Sequence, residues 1–222
     1  MPTATEERRP ARPYRSPSRT EQARRTRSRI LEAAHRLFVE QGYPATTIRA
    51  VAESAGVAVP TVELLFGTKP RLLTSVIDVA IAGDDEPVAV LSRDWTARAL
   101  RKATARDLLG VTAPVLRAAQ ERSAGVLLAA YEAAGTDPMV ARLVDEQEQR
   151  RAVTARWIVD GVGAKTPLRP GLATDDATES VWLLMDPVVF VRLTRRRRWP
   201  PARYETWWAE SVLRLLTNEE EP

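Results

Sequence analysis

A chain that makes or breaks covalent bonds needs a nucleophile, a base or a metal-holding set, and this one is nearly without them. Its 222 residues contain no cysteine and a single histidine, His35, which removes disulfide frameworks, thiolate zinc sites and cysteine nucleophiles together. The single histidine allows no pair of Glu-x-x-His motifs, and no Gly-rich phosphate loop or Ser-His-acid set is present from which a helical-bundle enzyme could be built. No cofactor or metal is implied, and His35 reads as an ordinary histidine at a helix edge. What the charged residues can do is meet phosphate. Residues 1–69 carry 12 Lys and Arg against 7 Asp and Glu, whereas residues 70–222 carry 21 against 22. A basic segment beside a neutral remainder suits the electrostatic footprint of a nucleic-acid binder; a charged tail would give the same balance, so charge alone does not decide.

The stretch from Thr46 to Lys69 decides more. Thr47 is a good N-cap, and Ile48, Val51, Ala52 and Ala55 fall on one face of a helix of about two turns. Gly56 follows where a tight turn wants positive φ, and Val57 supplies a buried contact after it. A second short helix opens with Pro60 in its first turn, where the missing N–H costs nothing. Val62 and Phe66, four apart, pack inward. Val59, Thr61, Glu63 and Leu64 are left on the outward side, where a recognition helix meets the major groove of double-stranded DNA. Val59 and Leu64 can read thymine methyls, and Glu63 can accept from cytosine N4. One such helix reads too few base pairs for useful specificity, so a homodimer on a near-palindromic operator is expected.

The elements that position these residues are helical. Residues 1–21 hold Pro2, Pro10, Pro13 and Pro17 among five arginines with almost nothing to bury, which reads as a disordered basic arm; such an arm either enters the minor groove or adds nonspecific affinity. Ile30, Ala33, Ala34, Leu37 and Phe38 form one face of a first helix that Gly42 stops. Beyond residue 70 the helical period predicts helices over about 70–83, 96–121 with a bend near Pro114, 123–134, 138–162, 174–195 and 202–217. Gly- and Pro-bearing breaks separate most of them. The expected fold is all-α: a basic arm over 1–21, a three-helix helix-turn-helix domain over 22–69, and a larger helical effector-binding and dimerisation domain over 70–222. No apolar run approaches the roughly 20 residues that cross a bilayer, and no signal-peptide pattern is present, so no membrane partner and a cytoplasmic location are expected.

Over residues 23–75 the chain resembles the DNA-binding domain of the TetR family of transcriptional regulators. The resemblance is carried by Gly42-Tyr43, Thr46-Thr47-Ile48, Val51-Ala52-Glu53-x-Ala55-Gly56-Val57, Thr61-Val62 and Phe66-Gly67-Thr68-Lys69, followed by Leu72 and Leu73. A looser distal similarity to one subgroup runs through Leu168-Arg169-Pro170-Gly171-Leu172, Asp186-Pro187 and Tyr204-Glu205-x-Trp207. The resemblance implies that Thr47 and Lys69 each meet a DNA phosphate, that Thr61 faces the groove or backbone, and that Tyr43 braces the first helix. It also implies that the last two helices form the subunit interface, through Val181, Leu184, Trp208, Val212 and Leu215. The chain departs from the family where Glu63 replaces a usual tyrosine and Ala58 a usual serine cap.

Helices packed around an apolar space commonly hold a ligand. Trp157, Trp182 and Met185 are the candidates to line a site for a small apolar or amphipathic effector. Asp186, an acid amid apolar residues, reads either as a pocket residue or as an N-cap ahead of Pro187. Arg195 to Arg198 read as a solvated helix end favoured by the helix dipole. The expected function is thus a ligand-responsive repressor, with two alternatives: a constitutive or partner-recruiting DNA-binding regulator without an effector, and a helical-bundle enzyme.

Overall fold

A computed structural model describes residues 17–218; the greater part of the expected basic arm lies outside the described residues. The order of elements is α1 (Pro17–Ala45), α2 (Ile48–Ala55), α3 (Val59–Phe66), α4 (Lys69–Ala82), a 3-10 turn (Val90–Ser92), α5 (Asp94–Leu100), α6 (Ala105–Ala134), α7 (Pro138–Gly163), α8 (Thr174–Leu184), α9 (Pro187–Val191), a π-helical turn (Arg192–Arg196) and α10 (Pro201–Leu216). The described residues contain no strand, so the chain is all-α as expected. α1 begins at Pro17, so the last residues assigned to the arm are helical; proline is well tolerated in a first helical turn. The chain leaves the long helix at Gly42, at φ 77 and ψ 165, a backbone shape essentially open to glycine alone.

Two expected helix boundaries move, each for a local reason. The predicted helix over 96–121 is cut at residues 101–104, and its remainder joins the predicted 123–134 helix to make the 30-residue α6. Thr104 restarts the helix: its Oγ1 accepts from Asp107 N at 3.1 Å and donates to Asp107 Oδ2 at 2.8 Å. Ser123 makes no break, because its hydroxyl donates back to Ala119 O at 2.8 Å. The predicted 174–195 helix also divides. Asp186 Oδ1 accepts from Val188 N at 2.7 Å, capping a new helix with Pro187 at its first position.

α6 is the axis of the molecule, with α4 and α1 on one end and α5, α7, α9 and α10 around it. Two apolar clusters follow from this. The first joins Ile30, Phe38, Val51, Val62, Leu72 and Ile77 of α1–α4 to Val126, Leu127 and Ala130 of α6 and Val140 and Leu143 of α7. The second, around Leu108, Ile158, Val181, Tyr204, Trp208 and Leu216, closes the far end. Val181, Trp208 and Val212 are fully buried in this second core. A side chain with no accessible surface has nothing to offer a partner subunit, so these three hold the protomer together, contrary to the interface role expected of them. Trp208→Ala should therefore lower the stability of the chain by about 3–5 kcal/mol, read as a fall in the urea midpoint.

Candidate nucleic-acid interface and effector cavity

The helix-turn-helix is set by a few local bonds. Thr47 Oγ1 accepts from Ala50 N at 3.0 Å and caps α2, leaving the Ile48 and Arg49 N–H groups of the first turn without an intrahelical acceptor. Gly56 lies in the left-handed region at φ 62 and ψ 44. A Cβ there would come within 2.9 Å of the Arg29 guanidinium, whose Nη2 donates to the carbonyls of Ala55 and Gly56. α3 has no side-chain cap at Ala58 and starts with Pro60 in its first turn. Val62 and Phe66 are buried, Arg27 lies over the Phe66 ring at 4.7 Å, and Leu64 is 86 % exposed beside the exposed Glu63. Val59 and Thr61 are half-buried at the start of the same helix.

A cavity of about 1210 Å³ opens between α4, α5, α6 and α7 beneath the segment from Asp84 to Arg93. Its buried wall includes Trp95, Thr112, Gln120, Ile158 and Met185. Its rim carries three consecutive acids, Asp84, Asp85 and Glu86, each paired with an arginine. Asp84 accepts from both Arg93 Nη1 (2.6 Å) and Nη2 (2.8 Å), and these bonds with the Glu86 N–H hold its carboxyl down at about 2. Asp85 pairs with Arg27 of α1 at 2.5 Å, and Glu86 with Arg24 of α1 at 2.9 Å. Arg122 of α6 donates to the last carbonyls of α4, Ala80 O at 2.8 Å and Ile81 O at 3.1 Å. Burial lowers its pKa. His35 Nε2 lies 2.8 Å from Arg122 O. The cavity rim thus touches both α1 and α4.

Residues 30–76 match the model of the bacterial regulatory proteins of the tetR family. The chain carries a TetR-family DNA-binding domain. Solved structures extend the likeness to the rest of the fold. The fatty acid degradation regulator FadR from Bacillus halodurans superposes with a TM-score of 0.66 at 18% identity, over 85% of this chain and 94% of that one. FadR from Bacillus subtilis, solved in complex with stearoyl-CoA, gives 0.65 at 18% over 85% and 98%. NalD from Pseudomonas aeruginosa, the secondary repressor of the MexAB-OprM multidrug efflux pump, gives 0.65 at 20% over 90% and 100%. A search of curated protein sequences finds no match. The family match thus covers the helix-turn-helix segment, and the solved structures share the fold of the chain as a whole; among the described residues no helix is long and apolar enough to cross a membrane.

Within the helix-turn-helix segment, Lys69 stands differently from its expected role. Lys69 does not reach outward. Its Nζ donates to Tyr43 O at 2.9 Å and Thr46 O at 3.0 Å, with Pro44 O at 3.5 Å, and it sits 4.1 Å from the centre of the Tyr43 ring. All three protons face carbonyls of the turn between α1 and α2, and burial lowers the pKa of the amine. The ammonium stands in for the helical N–H donors that carbonyls of this turn lack where the chain leaves α1 at Gly42. Tyr43 extends the clamp: its hydroxyl donates to Asp137 Oδ2 at 3.1 Å, and burial followed by that bond raises its pKa. Asp137 also accepts from Met139 N and Val140 N, so Lys69, Tyr43 and the start of α7 form one connected set.

The cavity places the expected effector residues unevenly. Met185 lines it. Trp157 stands one layer behind, edge-on to Trp95 at 5.2 Å, and it is Trp95 that faces the space. Trp182 is also outside the lining: Arg151 stacks on its ring at 4.5 Å and its indole donates to Glu148 O at 3.3 Å. Asp186 is the N-cap and lies outside the cavity lining, with its other oxygen paired to Arg151 at 3.0 Å. Gln120 and Arg151 escaped the sequence reading. A signal was present in Thr112, Gln120 and Ser123, polar residues on the otherwise apolar buried face of α6. Lys69→Ala should lower operator affinity and thermal stability together while leaving the salt slope of binding unchanged. Loss of a true phosphate contact would instead reduce that slope by about one.

Proposed function

We propose that the chain is a homodimeric, ligand-responsive repressor in which a small, largely apolar molecule in the α4–α7 cavity weakens operator binding. The observation that carries this reading is the double attachment of the cavity rim. α4 forms one wall and leads directly out of the helix-turn-helix, while the acidic segment over the cavity is ion-paired to α1 of the DNA-binding domain. A molecule that pushes α4 and this segment outward changes the setting of α1 and α3, so ligand and DNA favour different geometries and each weakens the other. Thr47, Val59, Thr61, Glu63 and Leu64 are the proposed DNA-contacting residues. That FadR from Bacillus subtilis was solved with stearoyl-CoA, and that NalD is a repressor, support a fold suited to this use.

The subunit interface is assigned to the outward faces of α8 and α10. Leu183 is 57 % exposed there, and Leu184, Trp207 and Leu215 keep part of their surface free. Leu184→Asp should convert a micromolar dimer to monomers that lose operator binding while staying folded; sedimentation showing that the unaltered protein is a stable monomer at that concentration contradicts the assignment.

The ligand response can be tested without knowing the ligand. Ala119→Trp places an indole in the cavity from α6 and should weaken binding to a duplex selected from a random pool by about tenfold, within the usual range of coupling energies. Adding Asp85→Ala and Glu86→Ala cuts the two links to α1 and should recover part of that loss. A folded, dimeric Ala119→Trp protein with undiminished DNA affinity points to a constitutive regulator instead.

A further inference from the structure

The walls of the cavity are mostly apolar, yet they carry hydrogen-bonding groups that nothing in the protein satisfies. Most polar side chains on the lining are met by neighbours. Thr112 Oγ1 donates to Leu108 O at 2.9 Å, Ser123 Oγ to Ala119 O, and Gln147 Nε2 to Asp78 Oδ1 at 3.1 Å. Gln120 differs. It is 6 % exposed, and its Nε2 donates to Met185 O at 2.6 Å. Because a carbonyl can only accept, that bond fixes the amide the way round it stands. It leaves Oε1 buried on the cavity wall without a donor. Trp95, 8 % exposed, presents its indole N–H without an acceptor, and Arg151 Nε is a further donor in the same position.

Four of the arginines around the cavity are held in ion pairs, and Arg122 is held by the α4 carbonyls. Arg27 pairs with Asp85, Arg93 with Asp84, Arg150 with Asp78, and Arg151 with Asp186. An anionic ligand drawn to Arg151 would have to displace Asp186, a carboxylate 16 % exposed that also caps α9, and leave it unpaired.

We infer that the cavity selects a neutral, largely apolar molecule bearing a hydroxyl or amide, whose O–H or N–H donates to Gln120 Oε1 and whose oxygen accepts from the Trp95 indole. This rests on the cavity being the effector site, as proposed above, and adds the chemistry of what fills it. A ligand lacking a donor leaves Gln120 Oε1 unmet, whereas one carrying a donor satisfies it. Sites built to hydrogen-bond a hydroxyl reject isosteres without it for this reason.

The test uses the full-length protein with three probes of similar length: 1-decanol, its isomer 1-methoxynonane, which accepts but cannot donate, and decanoate, which is anionic at neutral pH. Affinity is read by calorimetry and by quenching of tryptophan fluorescence. Decanol should bind at least about tenfold tighter than methoxynonane and tighter than decanoate. In Gln120→Leu the decanol advantage should shrink to within about twofold, with methoxynonane affinity kept or improved. Should Gln120→Leu fail to fold, the ranking on the unaltered protein decides alone, with Trp95→Phe as the second variant. Equal affinity for the two isomers, or tightest binding of decanoate, overturns the inferred chemistry and leaves the cavity as the effector site. Absence of binding by all three overturns both.

Discussion

The molecule depends on the seam where α1 and α4 pack against α6. Leu72, Leu73, Val76 and Ile77 of α4 are buried with Val126, Leu127 and Ala130 of α6 in one cluster, which also contains the inward residues of the helix-turn-helix. Burial of this kind contributes about 1.5–3 kcal/mol per large apolar side chain, and close-packed interiors do not deform continuously. The helix-turn-helix is therefore part of the same packed body as the helices around the cavity. A displacement of α4 relative to α6 has to move the recognition helix or break the seam, and this is what makes a cavity beside α4 mechanically relevant to DNA.

Polar clasps sit at both ends of that seam. At one end Lys69 and Tyr43 tie the turn after α1 to Asp137 at the start of α7. At the other, Arg122 closes the C-terminus of α4, and the acidic segment from Asp84 to Glu86 reaches Arg24 and Arg27 of α1. The exposed ion pairs in this second clasp are each worth about 1 kcal/mol or less. They suit contacts that form and break as a ligand comes and goes. The Lys69 clasp is more enclosed and made to backbone carbonyls, so it serves as the fixed end.

How much of this could be read without coordinates depended on how local the cause was. Thr47, Gly56, Pro60 and Phe66 act within a few residues of themselves, and the helix-turn-helix was legible from them. The all-α fold followed from the long helical periods for the same reason. Periodicity shows that Val181, Trp208 and Val212 face something apolar; it does not say whether that is their own chain or a partner, and the structure buries them at home while leaving Leu184 and Leu215 nearer the surface. Trp157 and Trp182 have the right chemistry for a cavity wall but lie outside it, because the order of layers across α5, α7 and α8 is a long-range fact. Lys69 sits where a phosphate contact was expected and bonds inward instead, to carbonyls of the turn that follows Gly42, 23 to 26 residues away in the chain.

The central claim is that occupation of the cavity resets the two DNA-binding domains of a dimer. The absence of native cysteine lets a single spin label be placed at Glu53→Cys on the exposed side of α2, and the distance between the labels in the two subunits can be measured by double electron–electron resonance. The account predicts one distance distribution with bound operator duplex and a distinct one when 1-decanol fills the cavity, with the free protein populating either or both. Superimposable distributions with decanol bound and with DNA bound would contradict it.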